Sequence, residues 1–514
     1  MKILLVNPNM RTAYNPLPFP PLSLMSIAAV VQDSYEITIH DRNLYKDPDG
    51  KNIGTVLQRA KPDIVGITSL TGPAILDGVL VSRLAKEAGA QVVWGGTHAS
   101  LLPEQTLQNP YIDFVVMNEG EETFRELIEA IEQHRGYKNI LGLAYKEDGQ
   151  VKINPERPFI QDLDALPMPA WNLVPVERYI YRYTNARRKI VTVTSRGCLF
   201  RCSFCYVIDF HKRKYRGKSV ARILEELAFL RKNYGVDGVR FDDDLFVINR
   251  PRLREFCDWV YKKDVPITWD SNCRADQVNP EFIGAVTRGK CHRLTFGLES
   301  GSDRILKFIE KDFRAEQIVR AFDLLNKTDI MTGAAFLIGV PSETEEDIWK
   351  TIDLAKRINA YHTHFYPYTP FPGSPLAEYC RKNGLIQYPE RLEDWADFEY
   401  ARSDRTAISE REIKKISAQF EVRNVLNSLQ RGELAILSNF LNLEQFQNFR
   451  SWTNFFRQAF RTGRGIWSSA TPTPPERNSA FLAGSGTGVV PSAVELSFES
   501  GTCDLSSAGI AQTN

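Results

Sequence analysis

The sequence predicts an α/β protein made of two successive sheet domains and a helical C-terminal extension. Short apolar runs rich in β-formers alternate with segments of helical periodicity from Lys2 onward, the pattern of a parallel sheet with crossover helices. A second series of the same kind begins after the stretch LPMPAWNLVP. The length of 514 residues also exceeds what a single hydrophobic core commonly serves.

Residues 1–150 are predicted to form a doubly wound, flavodoxin-like parallel sheet. Its strands are ILLVNPN, YEITIHD, PDIVGITSLT, QVVWGGTHAS and FVVMNEG. In such sheets the ligand lies beyond the carboxyl ends of the strands, where small residues let it approach the backbone. The candidate ligand-binding residues at these ends are Ser69, Thr71, Gly72, Gly95, Gly96, Thr97, His98, Glu119 and Gly120.

Residues 151–188 are interpreted as a linker and residues 189–395 as a partial (βα)6 barrel of the TIM type. The strands are KIVTVTSR, GVRFDDDLF, ITWDSNCR, RLTFGLES, TGAAFLIGV and YHTHFYPYT. Six units are too few for a closed eight-stranded barrel, and the active site is expected at their carboxyl ends. Residues 396–462 are predicted to be a helical C-terminal segment. Residues 463–514, rich in Ser, Gly, Thr, Ala and Pro, are predicted to be a disordered tail.

Three cysteines follow the first strand of this second series. Cys198, Cys202 and Cys205 are spaced so that one loop can direct three thiolates to one centre, and soft thiolates bind zinc or iron–sulfur clusters. A structural zinc site needs a fourth ligand, but Cys257 lies in a helical pattern and Cys273 at a later strand end. The residues therefore favour a cluster with one open iron, with zinc and three unrelated thiols as alternatives.

The stretch GCLFRCSFCYV resembles the signature of the radical S-adenosylmethionine (radical SAM) enzymes, including the aromatic Phe204 before the third cysteine. The resemblance implies that the three thiolates hold a [4Fe-4S] cluster whose fourth iron binds S-adenosylmethionine. It also implies that the reduced cluster cleaves this molecule to a 5'-deoxyadenosyl radical. This chemistry belongs to the cofactor, while the protein positions and shields it.

The same resemblance implies further contacts to S-adenosylmethionine. FDDDLF lies where the family contacts the methionine amino group, although three adjacent carboxylates could instead form a solvated turn or a helix N-cap. Arg274 suits the methionine carboxylate, because a guanidinium fork matches a carboxylate. Glu299 is placed to accept hydrogen bonds from the nucleoside, whereas Glu343 departs from the family's spacing after Gly339 and receives no role. The implied contact residues are Asp242, Asp243, Asp244, Ser271, Asn272, Arg274, Glu299 and Gly339.

A doubly wound domain directly before this motif resembles the cobalamin-binding domain of cobalamin-dependent radical SAM enzymes, and the resemblance covers roughly residues 1–400. The Asp-x-His-x-x-Gly signature that supplies a histidine to cobalt is absent, so cobalamin is expected to bind without a histidine axial ligand. His98 is a candidate for hydrogen bonding to cobalamin, although a lone histidine is more commonly a loop residue. Glu119 and Gly120 are expected beside the cobalamin nucleotide, or simply at a helix start that favours acidic residues.

These resemblances imply an enzyme, most directly a methyltransferase acting on an unactivated carbon or phosphorus centre. An oxidative cyclase of the anaerobic magnesium-protoporphyrin monomethyl ester type would use the same parts, and a non-catalytic cobalamin-sensing protein is a further alternative. A methylthiotransferase would want a second cysteine trio upstream, and residues 1–197 contain no cysteine. The implied partners are a small-molecule substrate and a reductant such as flavodoxin or ferredoxin.

The overall charge and hydropathy exclude some classes of partner. The 64 Lys and Arg residues nearly balance the 63 Asp and Glu residues, so charge does not suggest nucleic acid. There is no run of about 18 apolar residues and no signal-peptide core, which predicts a cytoplasmic protein without a membrane span. The basic stretch DFHKRKYRGKS could bind an anionic substrate group or form a solvated loop. Tyr366 and Tyr368 could line the substrate pocket or pack in the core.

Overall fold

The computed structural model describes residues 1–10, 19–45, 50–183, 185–398, 415–421, 423–424 and 427. Both predicted sheets belong to one compact unit. The predicted helical segment at residues 396–462 lies largely outside the described residues, although residues 415–421 are helical, and the predicted tail at 463–514 lies wholly outside them.

The N-terminal half is a seven-stranded sheet with the strand order β2-β1-β3-β4-β5-β6-β7. The first five strands are parallel, which confirms the doubly wound, flavodoxin-like prediction. The strands β6 and β7 form an antiparallel extension that the sequence analysis did not include. The elements are β1 (Lys2–Asn7), α1 (Leu22–Ala29), β2 (Glu36–Asp41), α2 (Lys51–Ala60), β3 (Ile64–Thr68), α3 (Ala74–Glu87), β4 (Gln91–Gly95), α4 (Thr97–Leu101), α5 (Pro103–Gln108), β5 (Phe114–Val116), α6 (Glu121–Glu132), β6 (Leu143–Glu147) and β7 (Gln150–Ile153).

The second half is an open sheet with the strand order β16-β15-β14-β13-β12-β9-β8. Six strands are parallel, as predicted for the partial barrel, and β8 is an added antiparallel edge strand. The strands are β8 (Tyr181–Tyr183), β9 (Ala186–Thr192), β10 (Ser195–Arg196), β11 (Arg216–Gly217), β12 (Gly238–Phe241), β13 (Thr268–Cys273), β14 (Cys291–Glu299), β15 (Met331–Ile338) and β16 (His362–Pro367). The helices are α7 (Val207–Phe210), α8 (Val220–Tyr234), α9 (Arg250–Lys262), α10 (Pro280–Arg288), α11 (Asp303–Phe308), α12 (Ala315–Leu325), α13 (Glu345–Ile358) and α14 (Pro375–Lys382).

The two faces of the second sheet differ in burial. Along β14 the side chains of Leu294, Phe296 and Leu298 are buried, while the alternate residues Arg293 and Thr295 are only half-buried. This alternation follows from the two-residue period of a strand, with one face packed beneath helices. The other, polar face is therefore the open side of the partial barrel.

Local sequence signals fix where several helices begin and end. Ser219 accepts a hydrogen bond from the amide of Arg222 at the start of α8, and Gly235 ends that helix with a φ of 62°. Thr344 and Asp347 form a reciprocal capping box at the start of α13.

The chain returns to the N-terminal half after α14. A short 3-10 helix, Leu392–Ala396, packs there, and Trp395 and Phe398 join the same hydrophobic cluster as Val6 and Trp94. We call residues 386–398 the return segment. Within the described part of the chain, no helix is both long and apolar enough to cross a bilayer.

Candidate active site

The cysteine loop begins at the end of a two-stranded ribbon formed by β10 and β11. Gly197 follows β10 directly with a φ of +84°, and a Cβ atom there would lie 2.1 Å from the carbonyl oxygen of Lys214. Only glycine fits such a conformation and such an approach. Cys198, Cys202 and Cys205 come next, and the amide of Cys205 donates to the carbonyl of Cys202 at 2.9 Å. The loop thus brings the three thiols to the carboxyl end of β9, as predicted.

The chemistry of these thiols fits an iron–sulfur cluster. All three are free thiols. Burial chiefly raises the pKa of Cys198 and Cys205, to about 12 for Cys205, and the neighbouring Cys202 raises both further. Such thiols become thiolates only beside strong positive charge, which cluster iron supplies. In the described part of the chain, no group of three or more His, Cys, Asp or Glu side chains is placed to hold a metal ion.

The three predicted aspartates differ in exposure, since Asp243 is buried while Asp242 and Asp244 are exposed. Asp243 is 1% exposed and accepts hydrogen bonds from the amide and hydroxyl of Thr194, both at 2.7 Å. Asp244 accepts a hydrogen bond from the amide of Gly197 at 2.8 Å, and partial burial of its carboxylate raises its pKa to about 6. Asp243 and Asp244 thus shape the loop, and their predicted contact with S-adenosylmethionine stays a prediction. Asp242 lines the cavity described below and pairs with Arg240 at 3.2 Å.

Arg274 also has partners other than the predicted methionine carboxylate. It is 5% exposed, and its nitrogens donate to the Asp276 carboxylate at 2.9 Å, the Lys311 carbonyl at 2.6 Å and the Cys202 sulfur at 3.4 Å. The guanidinium therefore supports the cysteine loop. Ser271 is fully buried beneath the sheet, whereas Asn272 lies half-buried on the open face and accepts a hydrogen bond from Arg240 at 3.3 Å.

Glu299 and Gly339 lie at the ends of the next two strands. Glu299 accepts a hydrogen bond from the buried Lys311 ammonium at 2.8 Å. The carboxylate that is predicted to contact the nucleoside therefore already has a cationic partner within the protein. The Lys311 ammonium also lies 5.5 Å from the ring centroid of Phe204. Sequence reasoning missed Lys311, because an isolated lysine in a loop carries no signal. The amide of Gly339 donates to the Glu343 carboxylate at 2.6 Å, which gives Glu343 a structural role.

A cavity of about 980 Å³ lies between the carboxyl ends of the two sheets. On the N-terminal side it is lined by residues that include Gly95, Gly96, Thr97, Glu119 and Gly120, all of them predicted ligand contacts. On the other side it is lined by residues that include Val191, Val193, Arg196, Phe210, His211 and Asp242. The cavity therefore touches both halves and ends beside the cysteine loop.

Four predicted contacts from the N-terminal half do not line this cavity: Ser69, Thr71, Gly72 and His98. The Ser69 hydroxyl donates to the carbonyl of Gly95 at 2.8 Å. His98 is 0% exposed, its Nδ1 lies 2.9 Å from the Thr71 hydroxyl, and its ring meets Trp395 edge-on. Burial lowers the pKa of His98 to about 3, so the ring is neutral. Ser69, Thr71 and His98 thus pack within the loops behind the cavity lining, and the cobalamin contacts predicted for these four residues stay predictions.

Glu119 and Glu121 are also already paired. Glu119 lies 2.6 Å from Arg216, and Glu121 lies 2.5 Å from Arg196. Glu121 and Glu122 do begin α6, as the dipole argument predicted. Within the basic stretch at 209–219, Arg216 and His211 are buried rather than free for an anionic ligand.

Comparison with known proteins agrees with this arrangement. A family model described as the radical SAM superfamily matches residues 192–355, and a model described as the B12 binding domain matches residues 11–128. The uncharacterized methyltransferase PH0819 of Pyrococcus horikoshii is 38% identical over 393 residues, covering 75% of this chain and 84% of that protein. The anaerobic magnesium-protoporphyrin IX monomethyl ester cyclase of Rubrivivax gelatinosus is 30% identical over 388 residues, covering 73% and 69%.

Solved structures share the fold. The cobalamin-dependent S-adenosylmethionine radical enzyme OxsB aligns with a TM-score of 0.66 at 18% identity, covering 90% of this chain and 80% of OxsB. The radical S-adenosylmethionine methyltransferase TsrM from Kitasatospora setae aligns with a TM-score of 0.61 at 22% identity, covering 76% of each chain. With the thiol loop, the shared cavity and these relatives together, the chain belongs to the family of radical SAM enzymes that carry an N-terminal B12-binding domain.

Proposed function

We propose that this enzyme is a cobalamin-dependent methyltransferase acting on an unactivated carbon or phosphorus centre of a small molecule. The observation that carries the proposal is the single cavity that runs from the glycines at the ends of β4 and β5 to Asp242 and the ribbon before the cysteine loop. When bound, the cluster with S-adenosylmethionine supplies a radical and cobalamin supplies a methyl group. A shared cavity lets one substrate reach both.

The residues of the N-terminal half suit a large flat ligand. Gly96 has a φ of +88°, and a Cβ atom there would lie 2.6 Å from the carbonyl oxygen of Ser69. A Cβ on Gly120 would lie 2.9 Å from side-chain atoms of Ile27 and Val116. Because these glycines have no side chain, a ligand in the cavity can approach the backbone closely. The buried, neutral His98 faces Thr71 and Trp395, so we propose that His98 is not a ligand of cobalt.

The residues of the second half suit the cluster and S-adenosylmethionine. The amide of Cys205 donates to the carbonyl of Cys202, and Asp244 anchors Gly197. Asp242 and Asn272 remain on the open face as candidate contacts to the methionine or ribose groups. The exposed Leu199 lies within the cysteine loop. We propose it as a contact for a small reductant such as flavodoxin or ferredoxin.

The test is anaerobic reconstitution with iron, sulfide and hydroxocobalamin, followed by metal analysis and turnover with S-adenosylmethionine labelled as methyl-d3. About four irons and one cobalt per chain, with labelled methyl groups in a product and 5'-deoxyadenosine formed, are expected. Cys202→Ser is expected to lose the iron while keeping the cobalt. Cobalt without any label transfer would count against a methyltransferase.

Oxidative cyclisation is the second candidate, favoured by the 30% identity to the Rubrivivax cyclase over 388 residues. The two candidates differ in the product. A cyclase would form a ring-closed, oxygen-bearing product with oxygen from labelled water, and no deuterated methyl group would enter it.

A further inference from the structure

Four charged side chains, three of them buried and Arg196 half-buried, lie between the cavity and the cysteine loop: Glu119, Glu121, Arg196 and Arg216. We call them the clamp. Glu119 and Glu121 flank Gly120 at the start of α6 in the N-terminal half, while Arg196 and Arg216 are paired directly across the β10–β11 ribbon of the second half. The clamp therefore joins the two halves.

The contacts within the clamp are short, and three of its four side chains are buried. The Nη1 atom of Arg216 lies 2.6 and 2.7 Å from the two carboxylate oxygens of Glu119. The Nη2 atom of Arg196 lies 2.5 Å from Glu121, and its Nη1 lies 3.2 Å from Glu119. The side chains of Glu119, Glu121 and Arg216 are 7%, 4% and 6% exposed. Two carboxylates and two guanidiniums balance in charge.

The clamp also fixes the chain segment that connects the halves. The amide of Ile160 donates to the Glu119 carboxylate at 2.8 Å, and the carbonyl of Ile160 accepts from Arg216 at 3.0 Å. The Arg216 guanidinium lies 4.6 Å from the ring centroid of Phe159. One arginine thus contacts the N-terminal half, the connecting segment and, through its own strand, the ribbon of the second half.

Each end of the clamp meets a cofactor region. Glu119, Gly120, Glu121 and Arg196 all line the cavity. Arg196 is followed directly by Gly197 and Cys198, so a shift of the ribbon shifts the first cysteine. Buried ion pairs are costly to desolvate and rarely add net stability, but their directional contacts define one arrangement over others. A stabilising role alone would be filled equally well by apolar residues.

From this we propose that the clamp sets the position of the cobalamin-binding half relative to the cysteine loop, and that Arg216 is its central positioning residue. The idea rests on the proposed function for its consequence in methyl transfer, but it can be tested without a substrate. Reduced [4Fe-4S] cluster and cob(II)alamin are both paramagnetic, and their dipolar coupling falls with the inverse cube of their separation.

The experiment measures this coupling by electron paramagnetic resonance on holoenzyme reduced in the absence of substrate. Arg216→Met keeps the aliphatic part of the side chain but removes its charge. Arg216→Lys keeps the positive charge but lacks the paired N–H donors of a guanidinium. We expect the coupling in Arg216→Met to weaken about twofold or more, or to spread into a broad distribution. The reason is that the distance between the cluster and the cobalt is then no longer fixed at one value. Arg216→Lys is expected to lie between Arg216→Met and the unsubstituted enzyme.

A second variant covers the case in which an unpaired Glu119 prevents folding. The double substitution Glu119→Gln with Arg216→Gln leaves no unpaired charge, and the pair Arg196 with Glu121 stays balanced. Arg304→Met is the matched control, since it breaks an ion pair with the buried Asp347 among helices of the second half. The control is expected to lose stability and keep the coupling.

Coupling in the double variant equal to that of the unsubstituted enzyme in strength and width would overturn the proposal. A weakened coupling together with unaltered iron and cobalt contents supports it. The two proposals fail separately. Loss of coupling in the variants, together with no methylated product from the unsubstituted enzyme, would support the clamp and contradict the methyltransferase. Unchanged coupling in the variants, together with labelled product from the unsubstituted enzyme, would do the reverse.

Discussion

Arg274 joins the cysteine loop to two other parts of the second half. Its guanidinium donates to the Cys202 sulfur at 3.4 Å while Asp276 and the Lys311 carbonyl occupy its other nitrogens. Hydrogen bonds and positive charge beside a cluster thiolate stabilise the reduced cluster, which carries one more negative charge. We therefore expect Arg274 to affect the reduction potential of a cluster bound at Cys202.

We expect Arg274→Gln to lower the midpoint potential of the cluster. A hydrogen bond to a charged group contributes about 1.5 kcal/mol, roughly a tenfold change and thus about 60 mV for one electron. A redox titration followed by electron paramagnetic resonance measures the shift, with Arg274→Lys as a control that keeps the charge. A higher potential in Arg274→Gln would contradict the assignment.

Glu343 gives a pH dependence of stability. Burial chiefly raises its pKa to about 7, against the opposing effect of the amides of Gly339 and Val340. The folded protein therefore holds this proton more tightly than the unfolded chain, so the stability it contributes is full below the ordinary pKa of 4.5 and is lost as the pH rises through about 7.

Glu343→Gln keeps an acceptor for the Gly339 amide and removes the titration. Relative to the unsubstituted protein, the variant is expected to gain about 1–3 kcal/mol of unfolding free energy at pH 8 compared with pH 5. Chemical denaturation at both pH values measures this. Parallel pH profiles for the two proteins would show that Glu343 does not titrate in this range.

At the scale of elements, the loop after β4 limits how closely a ligand approaches the N-terminal sheet. Gly96 combines a φ of +88° with no space for a Cβ beside the Ser69 backbone. Any larger residue must move the loop after β3, because that loop is the neighbour it would strike.

Gly96→Ala is expected to destabilise the protein by about 1–3 kcal/mol, since an L residue is strained at this φ. It should also weaken hydroxocobalamin binding, because Gly96 lines the cavity. Thermal unfolding and equilibrium binding measure the two effects. Gly89→Ala is the control, because Gly89 also has a positive φ but its Cβ would meet open space. An equal loss of cobalamin affinity in both variants would contradict the cavity argument.

Elements were more predictable than contacts. The parallel strands of both sheets carry apolar runs, so the sequence located them. The hairpin β6–β7 was missed although Asp148 and Gly149, with φ of 51° and 75°, form the Asp-Gly turn typical of two-residue hairpins. Side-chain partners were less predictable, because residues at strand ends such as Asp243 and Arg274 can face either the cavity or the loop beneath it.

At the scale of the whole molecule, the return segment joins the last described elements of the second half to the N-terminal sheet. Trp395 is fully buried, meets His98 edge-on and donates to the Gln105 side chain at 2.6 Å. Asn109 donates to the Glu393 carboxylate at 2.8 Å. These contacts cross about 290 residues of sequence.

Trp395→Ala is expected to cost about 3–5 kcal/mol of unfolding free energy, the usual range for a buried tryptophan. It should also expose His98 to water and so raise the pKa of that histidine towards its ordinary value. Denaturation and a histidine titration by NMR measure these effects. A His98 resonance that stays neutral down to the same pH in Trp395→Ala would show that Trp395 is not what keeps water from the ring.

The return segment also bears on how such enzymes can be recombined. If the cobalamin-binding half were cut from this chain in the segment around Phe159 and Ile160, it would expose the apolar surface that Leu392, Trp395 and Phe398 now cover. A half moved into another enzyme would lack the same cover unless the recipient supplied its own. Chimaeras in this family should therefore be designed with three crossover points, so that the graft includes the stretch near residue 395 together with the sheet that it covers.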